Sequence, residues 1–190
     1  MGCGLAFTMY LKLIFAKNTK FLTHSGLKME EIVIADLFLF SHSSAIVFLL
    51  NEYAKDDMGG GVELSEHVKI NLVAELRKRL GTHAILVFVD GVPAAMALCF
   101  EGFSSFACRP LLNVHDLIVV KEYRGRGLSK RLLAKAEEIA IGLGCCKLTL
   151  EVLEGNVAAQ AAYKASGFAG YELDPKMGNA MFWQKKLEKS

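Results

Sequence analysis

Arginine and glycine alternate at Arg124, Gly125, Arg126 and Gly127, between the apolar run Leu117, Ile118, Val119, Val120 and a stretch with helical spacing. A strand that turns through glycines straight into a helix presents the helix's first N–H groups. These have no intrahelical partner and carry the positive end of the dipole, so such a terminus attracts phosphate. Glycines let a diphosphate approach the backbone, and the two guanidinium groups supply charge with which it can pair. The same residues also suit an ordinary strand-to-helix turn with solvated arginines, because short glycine motifs arise easily by chance.

Three phosphate chemistries use a strand, a glycine turn and a helix. A Walker loop needs GxxxxGK followed by Ser or Thr, and that pattern is absent. A dinucleotide fingerprint accepts Gly125 and Gly127 as its first two glycines, with Glu151 at the distance of a ribose-binding acid. Lys130 then stands at the third glycine, where close helix–strand packing excludes a long side chain, and only about forty residues follow residue 150, too few for the rest of a doubly wound sheet. The third chemistry is acyl-coenzyme A binding, and it depends on the elements around the turn.

Those elements follow from periodicity. Residues 31–35 (EIVIA) read as a strand, and residues 37–53 as a helix with Ile46, Leu49, Leu50 and Tyr53 on one side. The stretch 54–61 (AKDDMGGG) predicts a mobile acidic loop, either a connector or a cover over the substrate. Ser65 caps a helix whose stripe is Val68, Leu72, Val73, Leu76 and Leu80, ended by Gly81. Residues 84–89 and 94–100 flank Asp90-Gly91, a strong hairpin signal, with Pro93 just past the turn. Residues 102–110 read as a polar-aromatic connection, 113–120 as a strand, and 128–143 as a helix with Leu128, Leu132, Leu133, Ala136, Ile139, Ala140 and Leu143 together. Residues 147–152 predict a strand parallel to 113–120. Asn156 caps a helix closed by Gly167, with Tyr163 seven residues on from the cap and on the same face. Residues 168–172 and 180–187 complete the reading as a last pair of strands around Asp174-Pro175.

A chain of 190 residues with 53% apolar residues is enough for one well-packed domain. We expect it over residues 29–190, with 1–28 an extension outside the fold or an upstream reading of a start at Met29. A net charge of +2 and a pI near 8.2, with basic residues scattered, suggest no nucleic-acid partner. The five cysteines show no CxxC pair and no zinc spacing. They read as buried thiols of a reducing cytoplasm, with no metal site. The apolar run 5–16 contains Lys12 and is too short to span a bilayer. It lacks a basic start and a cleavage site, and Ala6 stands where an N-terminal lipidation signal needs Ser or Thr.

The run Arg124-Gly125-Arg126-Gly127-Leu128-Ser129 resembles the acyl-CoA loop of the GNAT (GCN5-related N-acetyltransferase) superfamily, whose pattern is Gln or Arg, two residues, Gly, one residue, then Gly or Ala. Ser129 departs from the last position, but it is small, suits a first helical turn and can itself donate to phosphate. Glu154-Gly155-Asn156, residues 159–163 and Ser166-Gly167-Phe168 resemble the superfamily's second signature. The resemblance covers residues 29–188. It implies an α/β (α+β) fold, a twisted mixed sheet of six or seven strands flanked by about four helices, in which strands 113–120 and 147–152 splay apart around the pantetheine arm of acetyl-CoA. The diphosphate is then expected on the backbone of Arg124, Gly125, Arg126, Gly127, Leu128, Ser129 and Lys130. The strand segment Leu117, Ile118 and Val119 is expected along the pantetheine, with hydrogen bonds from the backbone of Leu117 and Val119, and Asn156 steadies it.

The implied reaction is acetyl transfer from acetyl-CoA to a primary amine by direct attack in a ternary complex. An amine attacks a thioester only as the free base, so a base, an oxyanion donor and an acid for the departing thiolate are needed. Tyr163 is the expected acid, as in family members with a tyrosine there. His115 and Asp116 are the candidate bases, placed by alternation on opposite faces of their strand. Polyamine-acetylating relatives have a Glu-Asp pair at what looks like this place. A buried structural role for His115 is the alternative. Glu52, Asp56, Asp57 and Glu63 hint at a small cationic acceptor, and a homodimer fits the reading. The rival function is an acyl-CoA sensor or interaction module without turnover.

Overall fold

The computed structural model describes residues 29–171, 174, 176, 178 and 180–187. The chain divides into two compact units, one ending at Leu150 and one beginning at Glu151.

The first unit holds strands β1 (Glu30–Ile34), β2 (Thr82–Val89), β3 (Val92–Ser104), β4 (Arg109–Val119) and β5 (Leu148–Leu150), ordered β1-β2-β3-β4-β5 in one sheet. Helices α1 (Phe40–Lys55), α2 (Glu66–Arg77) and α3 (Leu128–Gly142) belong to the same unit. The first four strands pair antiparallel, and β4 and β5 pair parallel, as the strand–helix–strand order predicts. Five strands among the described residues replace the six or seven expected.

At the β2–β3 hairpin Asp90 and Gly91 both have positive φ, 52° and 75°, the turn whose twist matches the flanking strands. Pro93 lies opposite Phe88, where the register shifts, so its missing N–H falls at an irregularity of the ladder. Residues 102–110 are not a connection. β3 and β4 run on through Gly102↔Leu111, Phe103↔Pro110 and Ser104↔Arg109, and the turn shrinks to residues 105–108. Mixed polar and aromatic residues hid this extension because a two-stranded tip has no buried face to pattern it.

Layers on both faces explain why β2 is buried from Ala84 to Val89 without alternation. Ala84, Leu86 and Phe88 share a core with Ile46 and Leu49 of α1, Leu76 of α2, and Met96, Leu98 and Ile118 of the sheet. Ile46 and Leu49 are fully buried, each contributing about 1.5–3 kcal/mol. α3 packs on β2, β3 and β4, burying Leu128, Leu132, Leu133, Ala136 and Ala140 of its predicted stripe. In α2 the stripe stops at Leu76, because the helix tightens at Lys78 and Arg79 to turn into β2, and this leaves Leu80 fully exposed. Of the four described cysteines, all unpaired, only Cys99 is buried, and Cys108 is exposed, against the expectation of buried thiols.

The second unit contains α4 (Val157–Ala165). The described residues of 168–187 form no strand, so the predicted final pair is absent among them. Gly170 interrupts the first run, and one long backbone bond, Ala180 N–H to Tyr171 O at 3.5 Å, is no ladder.

Candidate active site

β4 leads through a single 3-10 turn, Lys121–Tyr123, into the glycine loop and α3. Tyr123 N–H donates to Val120 O at 2.8 Å and Arg124 N–H to Lys121 O at 3.3 Å, which turns the chain out of the sheet. Gly125 and Gly127 then adopt φ of 76° and 75°. A Cβ at either would meet nothing within 4 Å, so backbone conformation demands these glycines and the space beside them is open. The first bond of α3 back to the loop is Arg131 N–H to Gly127 O at 3.2 Å. The N–H groups of Leu128, Ser129 and Lys130 therefore precede the intrahelical ladder. Leu128's side chain is sunk in the core, 1% exposed, and pins this terminus in place. Open space beside such N–H groups, at the positive end of a fifteen-residue helix, suits a diphosphate.

The arginines are placed differently from the expectation. Arg124 does not point at the loop's open side. Its Nε donates to Val119 O at 3.1 Å and its Nη2 to Asp56 Oδ2 at 2.7 Å. Arg126 lies over the Tyr123 ring, 5.2 Å from its centroid, a cation–π contact. On β4, Val120 N–H bonds Ala94 O of β3, so by alternation the backbone groups of Leu117 and Val119 face the opposite edge. β5 pairs with that edge only at residues 112–114, leaving it without a ladder partner from His115 onward among the described residues. Ile118 is buried in the core and, by the same alternation, turns its backbone to β3, so it does not line the open edge.

Leu98 pairs with Asp116 and Cys99 with Val114, which makes His115 the inserted residue of a β-bulge. A bulge interrupts strict alternation, the basis on which His115 and Asp116 were expected on opposite faces. His115 is exposed, its ring edge-on to Phe100 with centroids 5.4 Å apart, and the buried-histidine alternative is ruled out. Asp116 is half-buried. Burial pushes its carboxyl above the usual carboxylate range, against a smaller downward pull from His115. Burial and, secondarily, the charge of Asp116 push the Cys99 thiol up to about 12. Burial followed by the charges of Asp116 and Asp56 raises the Tyr53 phenol. Tyr53, read from sequence as part of an apolar stripe, thus belongs to the polar surroundings of Asp116. Its position three residues before Asp56 is the one signal that could have placed it there.

Residues 56–61, expected to lack regular structure, wind through a 3-10 turn at Asp57–Gly59. Asp56 Oδ1 accepts Met58 N–H at 3.0 Å, and its backbone oxygen accepts Gly59 N–H at 2.8 Å and Gly61 N–H at 3.1 Å. A Cβ at Gly59 would lie 1.9 Å from Tyr53 O, so only glycine fits. Three of the four acidic charges there, Asp57 apart, are matched within the chain: Asp56 by Arg124, Glu63 by Lys69 at 3.0 Å, and Glu52 by Lys55.

In the second unit Asn156 Oδ1 accepts Ala159 N–H at 3.1 Å, the predicted cap. At the other end Gly167 has φ 86°, and its N–H bonds Lys164 O at 3.1 Å while Phe168 N–H bonds Tyr163 O at 3.0 Å. This is a Schellman stop. Its apolar contact is the pair of Tyr163 and Phe168 rings, 6.1 Å apart.

A family model described as the acetyltransferase (GNAT) family matches residues 47–168. Thialysine N-epsilon-acetyltransferase of Caenorhabditis elegans is 26% identical over 145 residues, covering 70% of this chain and 86% of that protein. The Bos taurus protein of the same name is 41% identical over 56 residues, 30% of this chain and 33% of that one. The chain thus matches about a third of the length of the cattle relative. Among solved structures, an aminoglycoside N-acetyltransferase in complex with CoA superposes with a TM-score of 0.65 at 17% identity, covering 87% of this chain and 100% of that one, a likeness of fold.

Proposed function

We infer that this chain, which belongs to the acetyltransferase (GNAT) family, moves an acetyl group from acetyl-CoA to a primary amine by direct transfer in a ternary complex. The observation that carries the reading is the start of α3: two left-handed glycines, open space beside them, and three N–H groups ahead of the ladder. The β4 edge from His115 onward, without a ladder partner among the described residues, supports a pantetheine arm bonded along Leu117 and Val119. The Arg124 bond to Val119 O leaves the Val119 N–H as the simpler contact.

Two relatives named for thialysine and a fold neighbour named for aminoglycosides support a small cationic acceptor. Since Asp56 and Glu63 are already paired, the carboxylate proposed to meet that charge is Asp116. A carboxyl raised by burial is suited to accept the ammonium proton, and exposed His115 beside it passes that proton to solvent. The Leu117 N–H is the proposed oxyanion donor, Asn156 steadies the pantetheine, and Tyr163 protonates the departing thiolate. We place the reaction in a reducing cytoplasm.

The test is thiol release from acetyl-CoA across thialysine, lysine, polyamines and aminoglycosides. Turnover on at least one is expected. CoA binding without thiol release on any amine would make the chain a sensor.

A further inference from the structure

The geometry points to Asp56 as a positioning residue for the diphosphate loop, acting through Arg124; this rests on the acetyl-CoA reading of that loop. Arg124 opens the glycine run, and its guanidinium bridges backward. Nε closes onto Val119 O at 3.1 Å, spanning the 3-10 turn from the end of β4 to the loop. Nη2 is held by Asp56 Oδ2 at 2.7 Å. Asp56 is itself fixed on three sides: it follows the last residue of α1, its other carboxylate oxygen accepts Met58 N–H, and its backbone oxygen accepts Gly59 and Gly61. Its carboxyl is held below the usual carboxylate range, first through the Arg124 hydrogen bond and then through Met58 N–H. The two-point hold fixes where Arg124 leaves the sheet and hence where Gly125 and Gly127 start. A planar guanidinium fork can serve a carbonyl and a carboxylate at once, which a point charge cannot. The 56–61 turn is thereby tied to the loop that binds the donor, 68 residues away in sequence.

Coenzyme A affinity by calorimetry, in a cycle of wild type, Asp56→Asn, Arg124→Gln and the double variant, tests this. The pair is partly exposed, its side chains 49% and 25% accessible, so Asp56→Asn is expected to weaken binding about three- to fivefold. In the Arg124→Gln background it should have no further effect. Asp56→Glu should recover part of the loss. Additive losses, or tighter binding in Asp56→Asn, overturn the proposal; tighter binding would mean that Asp56 competes with phosphate for Arg124. The second readout needs no ligand. Amide exchange at Tyr123, Arg124 and Arg131, whose bonds close the loop, should quicken in Asp56→Asn while β2 and β3 stay unchanged. If the wild type binds no coenzyme A, the acetyl-CoA reading fails and exchange alone decides the positioning role; unchanged exchange at all three amides sinks it.

Discussion

Two glycine turns of the first unit differ in what they do with their N–H groups. In residues 56–61 the N–H groups of Met58, Gly59 and Gly61 are all taken by Asp56, and Gly59 is required because a side chain would strike Tyr53 O. In residues 124–128 Gly125 and Gly127 are required by positive φ, nothing crowds them, and the N–H groups that follow lie ahead of the helix ladder. The first turn uses its donors on itself and is a scaffold. The second leaves them outside its own helix ladder. Glycine content alone does not make an anion site; what matters is whether the turn has already satisfied its own backbone.

Four substitutions put that contrast at risk. The largest effect is expected where neither turn lies. Asp116→Asn should cut turnover about a hundredfold, as loss of a general base does. The same change should raise the melting temperature at neutral pH. Because burial lifts the folded-state pKa above the unfolded one, the folded state binds the proton more readily, and stability falls as pH rises from the ordinary carboxylate value through the raised one. Removing the carboxylate should flatten that fall. A lower melting temperature at pH 7 would mean that Asp116 holds the bulge together.

Tyr163→Phe should lower turnover by at least about tenfold while coenzyme A affinity stays near wild type, since the acid acts on the leaving thiolate and not on the diphosphate. An unaltered rate removes Tyr163 from that role. Next comes Gly127→Val, which forces a β-branched residue to φ 75°. At about 1–2 kcal/mol of backbone strain, coenzyme A should bind roughly tenfold more weakly. Unchanged affinity would detach the turn from the donor.

The smallest effect on chemistry is expected from Gly59→Ala. The clash with Tyr53 O should cost about 1–3 kcal/mol of stability, read as a lower melting temperature. Below the melt, coenzyme A affinity should shift no more than the Asp56–Arg124 link transmits. A larger loss of affinity than Gly127→Val causes would reverse the assignment of scaffold and site.

Residue types alone were enough for the strand–turn–helix at Gly125 and Gly127, the Asp90-Gly91 hairpin, the parallel β4–β5 pairing, the Asn156 cap and the Gly167 stop. The pairing follows from the strand–helix–strand order, and each of the others is written in local chemistry whose backbone preference needs no distant partner. Alternation along β4 predicted opposite faces for His115 and Asp116, and only pairing with β3 inserted the bulge there. Residues 102–110 looked like a loop because an exposed hairpin tip carries no apolar period, and the exposed apolar run 180–187 looked like a strand for want of knowing whether a partner existed. The partner of Arg124 was likewise out of reach. Its charge announced phosphate, and the tertiary fold gave it to Asp56, because a guanidinium binds whichever oxygens the chain brings within about 3 Å and sequence does not carry that distance.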